Sequence, residues 1–236
     1  MIDIHSHILP AVDDGSQTIE LSIEMIKKEV EDGVKAIILT PHVQSRVSKI
    51  VPSEHLAIFN HLKAEVEKQG IKIDLYLGAE IFYRSHIDTD FRQVSLAGSD
   101  YILLEFSPVR ETPIEEIAYD ISRMGFIPII AHVERYEYLT LEDYYKIKAT
   151  GAKLQMNTTS ILGLDKKLKK GVVQKLLKEQ LIDFVSTDTH NMDVRLPNMK
   201  LTYEHLLKNH DKSYLDQIFG ENARKIIGMK RIIFII

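Results

Sequence analysis

Seven short apolar runs, each leading into a polar or ligand-type residue and most then followed by an amphipathic segment, organise this 236-residue sequence. The runs are Ile2–Ile4, Ala36–Leu39, Ile73–Leu77, Tyr101–Leu104, Ile127–Ile130, Lys153–Gln155 and Ile182–Val185. Segments 18–31, 53–69, 113–124, 141–150 and 171–179 place apolar residues at three- and four-residue spacing, which predicts helices with one buried face. Gly33, Gly70, Gly125, Gly151 and Gly171 fall near the ends of these segments, where a positive φ is useful. Strand followed by helix, repeated, makes neighbouring strands parallel, because each helix carries the chain back along the sheet. The expected fold is α/β, a closed or nearly closed seven-stranded (βα) barrel forming a single domain over residues 1–236. Helical segments follow at 201–209, 213–219 and 222–227, and the apolar stretch 232–236 reads as a packed strand or a contact with another subunit.

In a parallel barrel the carboxyl ends of all strands open onto one face. The residues just beyond the runs are His5 and His7, His42, Glu80, Glu105, His132, Asn157, and Asp188 with His190. A lone histidine at a strand end is ordinarily a satisfied polar residue. A cluster of buried carboxylates, however, is costly without cations. The joint pattern therefore carries the reading, and His5, His7, Asp14, His42, Glu80, Glu105, His132, Asp188 and His190 are candidate metal ligands, enough for two or three ions. Imidazole with carboxylate and no thiolate suits manganese, zinc or iron, and Glu80 is placed to bridge two ions. Asp13 and Asp14 both precede Gly15; either acid can cap the helix near Thr18, as can Ser16 or Gln17, and Asp14 is preferred as the ligand. His55, His61, His205 and His210 lie on predicted helices among charged residues and read as surface groups, while His86 is unassigned.

Arg135, three residues beyond His132, and Arg195, beyond His190, belong to loops on the same face. Guanidinium matches phosphate oxygens in a planar, two-pronged contact, although any single arginine is more often a surface ion pair. Arg46, in the loop after His42, is a third candidate for substrate binding, and Arg84 and Arg110 are weaker ones. Walker, GxGxxG, HExxH and GxSxG motifs are absent, and without cysteine a cysteine-based phosphatase is excluded. The surviving chemistry is hydrolysis by metal-activated water.

Lys and Arg number 30 against 34 Asp and Glu, a formal charge of −4, which argues against a surface built for nucleic acid or anionic lipid. Polar residues from Asp3 onward rule out a secretory leader pattern, and no apolar stretch approaches the ~20 residues needed to span a bilayer. A cytoplasmic protein without membrane insertion is expected.

Taken together, MIDIHSHILPAVDDG, TPHV, GAEIFY, LLEFS, PIIAHVERY and STDTHNMDVRLP resemble the bacterial manganese-dependent protein tyrosine phosphatases of the polymerase-and-histidinol-phosphatase (PHP) superfamily, the capsule- and exopolysaccharide-associated, CpsB/YwqE-like group. The resemblance runs from Met1 to about Ile227 with the motifs in order. It implies a distorted seven-stranded PHP-type barrel with a trinuclear site at its mouth, holding manganese in two or three positions that iron, zinc or magnesium can replace. By the same resemblance Asp14 joins His42 and His190 at the additional ion, and Arg135 and Arg195 are the phosphate-binding arginines. The implied activity is hydrolysis of phosphotyrosine on the tail of a cognate bacterial tyrosine kinase, and the step expected for it is attack on phosphorus by a hydroxide bridging two ions. Rival readings are a PHP phosphoesterase for histidinol phosphate or another small ester, and a non-catalytic regulator that binds the phosphorylated tail; a homo-oligomer is compatible with each. One departure stands out: the loop 43–50 is basic and has no aromatic residue to stack on phosphotyrosine, which leaves Phe82, Tyr83, Phe106 or Tyr136 for that contact.

Overall fold

A computed structural model describes residues 1–84, 88–166, 168 and 171–228. Among these residues nine strand segments all pair in parallel: β1 (Ile2–Ser6), β2 (Ala36–Leu39), β3 (His42–Val43), β4 (Asp74–Leu77), β5 (Glu80–Phe82), β6 (Tyr101–Glu105), β7 (Ile127–Ile130), β8 (Lys153–Asn157) and β9 (Phe184–Ser186). The hydrogen-bonded orders are β1-β2-β4 and β3-β5-β6-β7-β8-β9. A parallel bridge between Ser6 and Thr189 ties the end of β1 to the chain leaving β9, so the sheet curls round on itself.

Periodicity predicts seven strands; the structure adds β3 and β5, short segments that resume after breaks beyond β2 and β4. Thr40 and Pro41 separate β2 from β3, and Pro41 has no N–H to give the ladder. Gly78 and Ala79 separate β4 from β5. Backbone bonds span both breaks, from Gly78 N–H to the Leu39 carbonyl at 2.9 Å and from Glu80 N–H to the Pro41 carbonyl at 3.1 Å. A Cβ on Gly78 would stand 2.7 Å from Leu96 Cδ2 and 3.1 Å from Leu96 Cα. The turn at Leu96–Gly98 can therefore press against the sheet only where the side chain is missing.

Ten helices surround the sheet among the described residues: α1 (Ile19–Glu31), α2 (Pro52–Lys68), α3 (Phe91–Val94), α4 (Ile114–Arg123), α5 (Leu141–Ala149), α6 (Thr158–Ile161), α7 (Val172–Lys178), α8 (Met199–Leu206), α9 (Lys212–Asp216) and α10 (Asn222–Gly228). Thr18 itself caps α1, its hydroxyl accepting the Leu21 N–H at 3.2 Å, so neither Asp13 nor Asp14 is spent on that task. A buried stripe of Ile23, Met25 and Ile26 faces the sheet from α1, and Ile114, Ala118 and Ile121 do so from α4. These residues join Ile37, Leu39, Ile102, Leu104 and Ile130 in the layer between strands and helices. The alternate strand residues Ile2, Ile4, Ile38, Leu103, Ile129 and Phe184 form a separate inner cluster with Ala223 and Ile226 of α10. Full burial of each such side chain contributes about 1.5–3 kcal/mol. The imidazole and carboxylate groups that follow the strands lie at the carboxyl end.

The stretch 232–236 and His86 lie outside the described residues. His55, expected at the surface, is only 3% exposed on α2. Burial lowers its pKa against the opposing charges of Asp13 and Glu54. His61 and His205 are exposed and His210 is half-buried.

Candidate metal centre

The site begins with a break in alternation. Ile2 and Ile4 both point into the inner cluster, so strict period two would send His5 outward toward α1. Between Asp3 and Ser6 the register of β1 against β2 shifts, however, because Asp3 pairs with Ile37 and Ser6 with Leu39. This bulge re-aims His5 inward, where its Nδ1 meets Gln155 Oε1 at 3.2 Å and its Nε2 meets His7 Nε2 at 3.2 Å. Asp3, facing the other way, accepts the His5 N–H and the Thr187 N–H and hydroxyl.

Asp13 is the residue that directs His7. Its carboxylate accepts His7 Nδ1–H at 2.8 Å, the His42 N–H at 3.0 Å and the Gly15 N–H at 2.9 Å. With Nδ1 so engaged, His7 presents Nε2 to the centre, as an outer carboxylate does for a metal-bound imidazole. Asp14 is turned to solvent on one side, with its side chain 46% exposed, and stands 3.7 Å from His42 Nε2 and 3.6 Å from His190 Nε2.

Glu80 occupies the middle. Its Oε1 lies 3.3 Å from His5 Nε2 and 3.0 Å from His132 Nε2, and its Oε2 lies 3.4 Å from His7 Nε2 and 2.9 Å from His42 Nδ1. Glu105 reaches His42 and His132 at 3.6 Å each. Asp188 places Oδ1 3.5 Å from His5, 3.4 Å from His7 and 3.6 Å from His190. Its Oδ2 takes Arg195 Nη2 at 2.5 Å, Arg135 Nη1 at 3.2 Å and Asn157 Nδ2 at 2.6 Å. His132 and Asp188 both have positive φ, 32° and 51°, a backbone state costing about 1 kcal/mol or more and characteristic of functional positions.

Three sets of donors converge closely enough to hold an ion: His7, Asp14, His42 and His190; His5, His7 and Glu80; and His42, Glu80 and Glu105. Within each set the donor atoms lie within 4.8 Å of one another. His7, His42 and Glu80 each belong to two sets. Buried His190 Nε2 makes no hydrogen bond, and His190 Nδ1 is already turned to the Asp188 carbonyl at 3.0 Å. A nitrogen lone pair without a proton partner, among carboxylates, fits a divalent ion.

The electrostatics point the same way. Burial opposes charge at His5 and His42, yet Glu80 and Asp188 lift His5 to about 9, and Glu80 and Glu105 lift His42 to about 10. Burial beside the Glu80 charge pushes Glu105 up to about 8. Against its own burial, Asp188 is held well below the carboxylate range by Arg195, His5, His190 and Arg135. His132 is lowered to about 4 by burial, with Arg135 adding to the effect. The carboxylates draw protons onto imidazoles in the way that they would draw cations.

All nine candidate ligands are thus brought together at one mouth, and Arg135 and Arg195 join them through Asp188. Arg46 is not in this group; it lines a separate groove with Phe82, Tyr83, Arg84 and Arg110. Tyr136 is buried with its hydroxyl committed to the Phe106 N–H and the Ala131 carbonyl, which removes it from substrate contact, while Phe106, also buried, backs the groove beside Arg135 and Arg195. Residue-by-residue reading overlooked Asp13 and Gln155 as orienting groups. Gln155 Oε1 also accepts the His132 N–H at 2.7 Å, and its amide donates to Asn157 Oδ1 at 2.8 Å. The signal was present in KLQMN, where two amides alternate with the outward-packed Leu154 and Met156.

Fold and site together define a class: a parallel α/β protein of phosphotriesterase-like shape with imidazole and carboxylate groups, able to hold metal, gathered at the strands' carboxyl ends. The fold is shared with an organophosphorus hydrolase from Deinococcus radiodurans at TM-score 0.63 and 11% identity, covering 96% of this chain and 92% of that one. The chain belongs to the capsular polysaccharide synthesis family CpsB/CapC, whose family model matches residues 1–228. It is 32% identical over 241 residues to tyrosine-protein phosphatase CpsB of Streptococcus agalactiae, covering 96% of this chain and 98% of the relative. It is 33% identical over 235 residues to tyrosine-protein phosphatase YwqE of Bacillus subtilis, covering 96% and 91%. A crystal structure from work on YwqE and Streptococcus pneumoniae CpsB, described as metal-dependent tyrosine phosphatases, superposes with TM-score 0.89 at 32% identity over 98% of this chain and 96% of that one.

Proposed function

We propose that this chain is a manganese-dependent protein-tyrosine phosphatase that acts on the phosphorylated tail of a bacterial tyrosine kinase in capsule or exopolysaccharide synthesis. The observation that carries the reading is Glu80, which converges with His5 and His7 in one donor set and with His42 and Glu105 in another, the sharing expected of a carboxylate that would serve two ions. The tyrosine-phosphatase names of relatives at 32–33% identity support it. We read β2 with β3 and β4 with β5 as single interrupted strands, giving a distorted seven-stranded PHP barrel as one domain, in the cytoplasm. No helix among the described residues is long and apolar enough to cross a membrane.

His5, His7, Glu80 and Asp188 would hold one ion, with Glu105, His42 and His132 around a second, and Asp14, His42 and His190 at the additional position. When bound, the ions supply an acidified water as nucleophile and polarise the phosphoryl oxygens. Arg135 and Arg195, both reaching the centre at Asp188 Oδ2, orient the phosphoryl group and offset its growing charge. Gln155 and Asp13 hold the ring orientations of His5 and His7. Tyrosyl oxygen, with a pKa near 10, leaves without a strong general acid. Beside the arginines lies a groove of about 800 Å³ walled by Pro108, Val109, Leu164 and Val194, an apolar seat for an aryl ring. This wall favours phosphotyrosine over a small polar ester.

The test is phosphate release from a phosphotyrosine peptide with added manganese, beside histidinol phosphate and a phosphoserine peptide, with a chelated control. Selective turnover of the tyrosine peptide supports the proposal. Preference for histidinol phosphate turns the assignment to a metabolic phosphoesterase, and metal-dependent binding without turnover turns it to a regulator.

A further inference from the structure

The groove that contains Arg46 is a second feature of the same mouth. Its volume is about 730 Å³, and Arg46, Arg84 and Arg110 line it beside Phe82 and Tyr83. The three arginines come from the loops after β3, β5 and β6, which are consecutive neighbours in the sheet. They follow His42, Glu80 and Glu105 by four, four and five residues respectively. Each of three adjacent strands therefore delivers one residue to the metal centre and one guanidinium to the groove beyond it.

All three arginines are exposed, and among the described residues none makes a side-chain ion pair. Glu111 also lines the groove and is not paired with them. Three like charges gathered in a chain whose net charge is −4 repel one another, and an anion relieves that repulsion. The spacing sets the distance. Four residues of chain extend at most about 13 Å, so an extended peptide whose phosphotyrosine occupies the centre reaches the groove within about three to five residues.

We propose that the Arg46, Arg84 and Arg110 groove binds an anionic group on the substrate peptide, about three to five residues from the phosphotyrosine being hydrolysed. The inference rests on the phosphatase reading above. The anion is an aspartate or glutamate side chain or a second phosphotyrosine; both offer oxygens to guanidinium, and phosphate, with the greater charge, binds more tightly. On this account the enzyme selects acidic or multiply phosphorylated sequences rather than isolated phosphotyrosine.

The experiment compares the manganese-loaded full chain with its Arg84→Gln/Arg110→Gln variant on four substrates: free phosphotyrosine, a phosphotyrosine peptide with neutral flanks, the same peptide with aspartates about three to five residues to either side, and one with a second phosphotyrosine there. Exposed charge pairs are individually weak, so the acidic peptide should exceed the neutral one by about five- to tenfold in kcat/KM, mainly through KM, with a larger gain for the doubly phosphorylated peptide. The variant should lose most of this preference and hydrolyse free phosphotyrosine as before. Equal kcat/KM on acidic and neutral peptides, or a preference that survives in the variant, overturns the groove assignment. Failure of the wild type on free phosphotyrosine and all three peptides overturns the phosphatase reading instead, so the two failures are distinguishable.

Discussion

Replacing Gly15 with alanine should disturb the metal centre through a single methyl group. A Cβ at this position would stand 2.2 Å from the His7 carbonyl oxygen and 2.5 Å from His7 Cβ. Ordinary contact begins near 3.4 Å, so one backbone must yield by roughly 1 Å, and neither is free to move. His7 N–H donates to the Thr189 carbonyl at 2.9 Å and the His7 carbonyl accepts the Ser16 N–H at 2.9 Å, while Gly15 N–H is held by Asp13. Overpacking of this kind costs about 1–3 kcal/mol, equivalent to a fall in Tm of roughly 2–10 °C for a chain of this size. A displacement of about 1 Å at a reacting centre costs on the order of a hundredfold in rate. Calorimetry, metal analysis and kcat on a phosphotyrosine peptide would measure the three effects. Gly220→Ala, where the nearest atom to the new Cβ is 3.9 Å away, serves as the control and should leave metal content and kcat unchanged without lowering Tm. A Gly15→Ala protein with full metal content, unchanged Tm and wild-type kcat would refute the packing argument.

Arg135→Ala should retain its metal, because Arg195 and Asn157 still hold Asp188 Oδ2, yet lose about 10²–10³ in kcat; normal turnover at full metal content would remove its assigned role. Asp13→Ala leaves His7 Nδ1 undirected and should weaken manganese binding about 10–100-fold in an equilibrium titration, whereas unchanged affinity would show that the carboxylate does not orient the ring. In the metal-free protein His5 and His42 are lifted to about 9 and about 10, so their contribution to stability is complete below about pH 6.5 and is lost as pH rises through those values. Manganese must displace these protons and the one on Glu105, so its affinity should rise with pH from 6 to 8, with proton release visible as buffer-dependent binding heat; affinity independent of pH would contradict the ionisation pattern. Far from the site, Asp143→Ala breaks the capping box with Thr140 on α5 and should cost about 1 kcal/mol without altering kcat.

Local chemistry made much of this protein legible from its sequence. Period-two runs and period-3.6 segments depend only on which residues are apolar, so the βα order and the carboxyl-end position of His5, His7, His42, Glu80, Glu105, His132, Asp188 and His190 could be read residue by residue. The same reasoning went wrong at His55, because a charged sequence neighbourhood does not reveal that α2 buries this ring. It ended two strands correctly at Leu39 and Leu77 but missed β3 and β5, which resume beyond Pro41 and Gly78, where long-range ladder bonds and the pressure of Leu96 decide how the strands divide. Which face His5 addresses depends on a register shift against β2, a property of two strands rather than one. The choice between Asp13 and Asp14 is of the same kind. The two are adjacent and chemically equivalent in the sequence; only packing directs Asp13 to His7 Nδ1 as its orienter and leaves Asp14 beside His42 and His190 as the candidate ligand. Sequence determined which groups were available at the mouth, and tertiary structure decided their partners, because bond direction and burial are set by residues far apart in the chain.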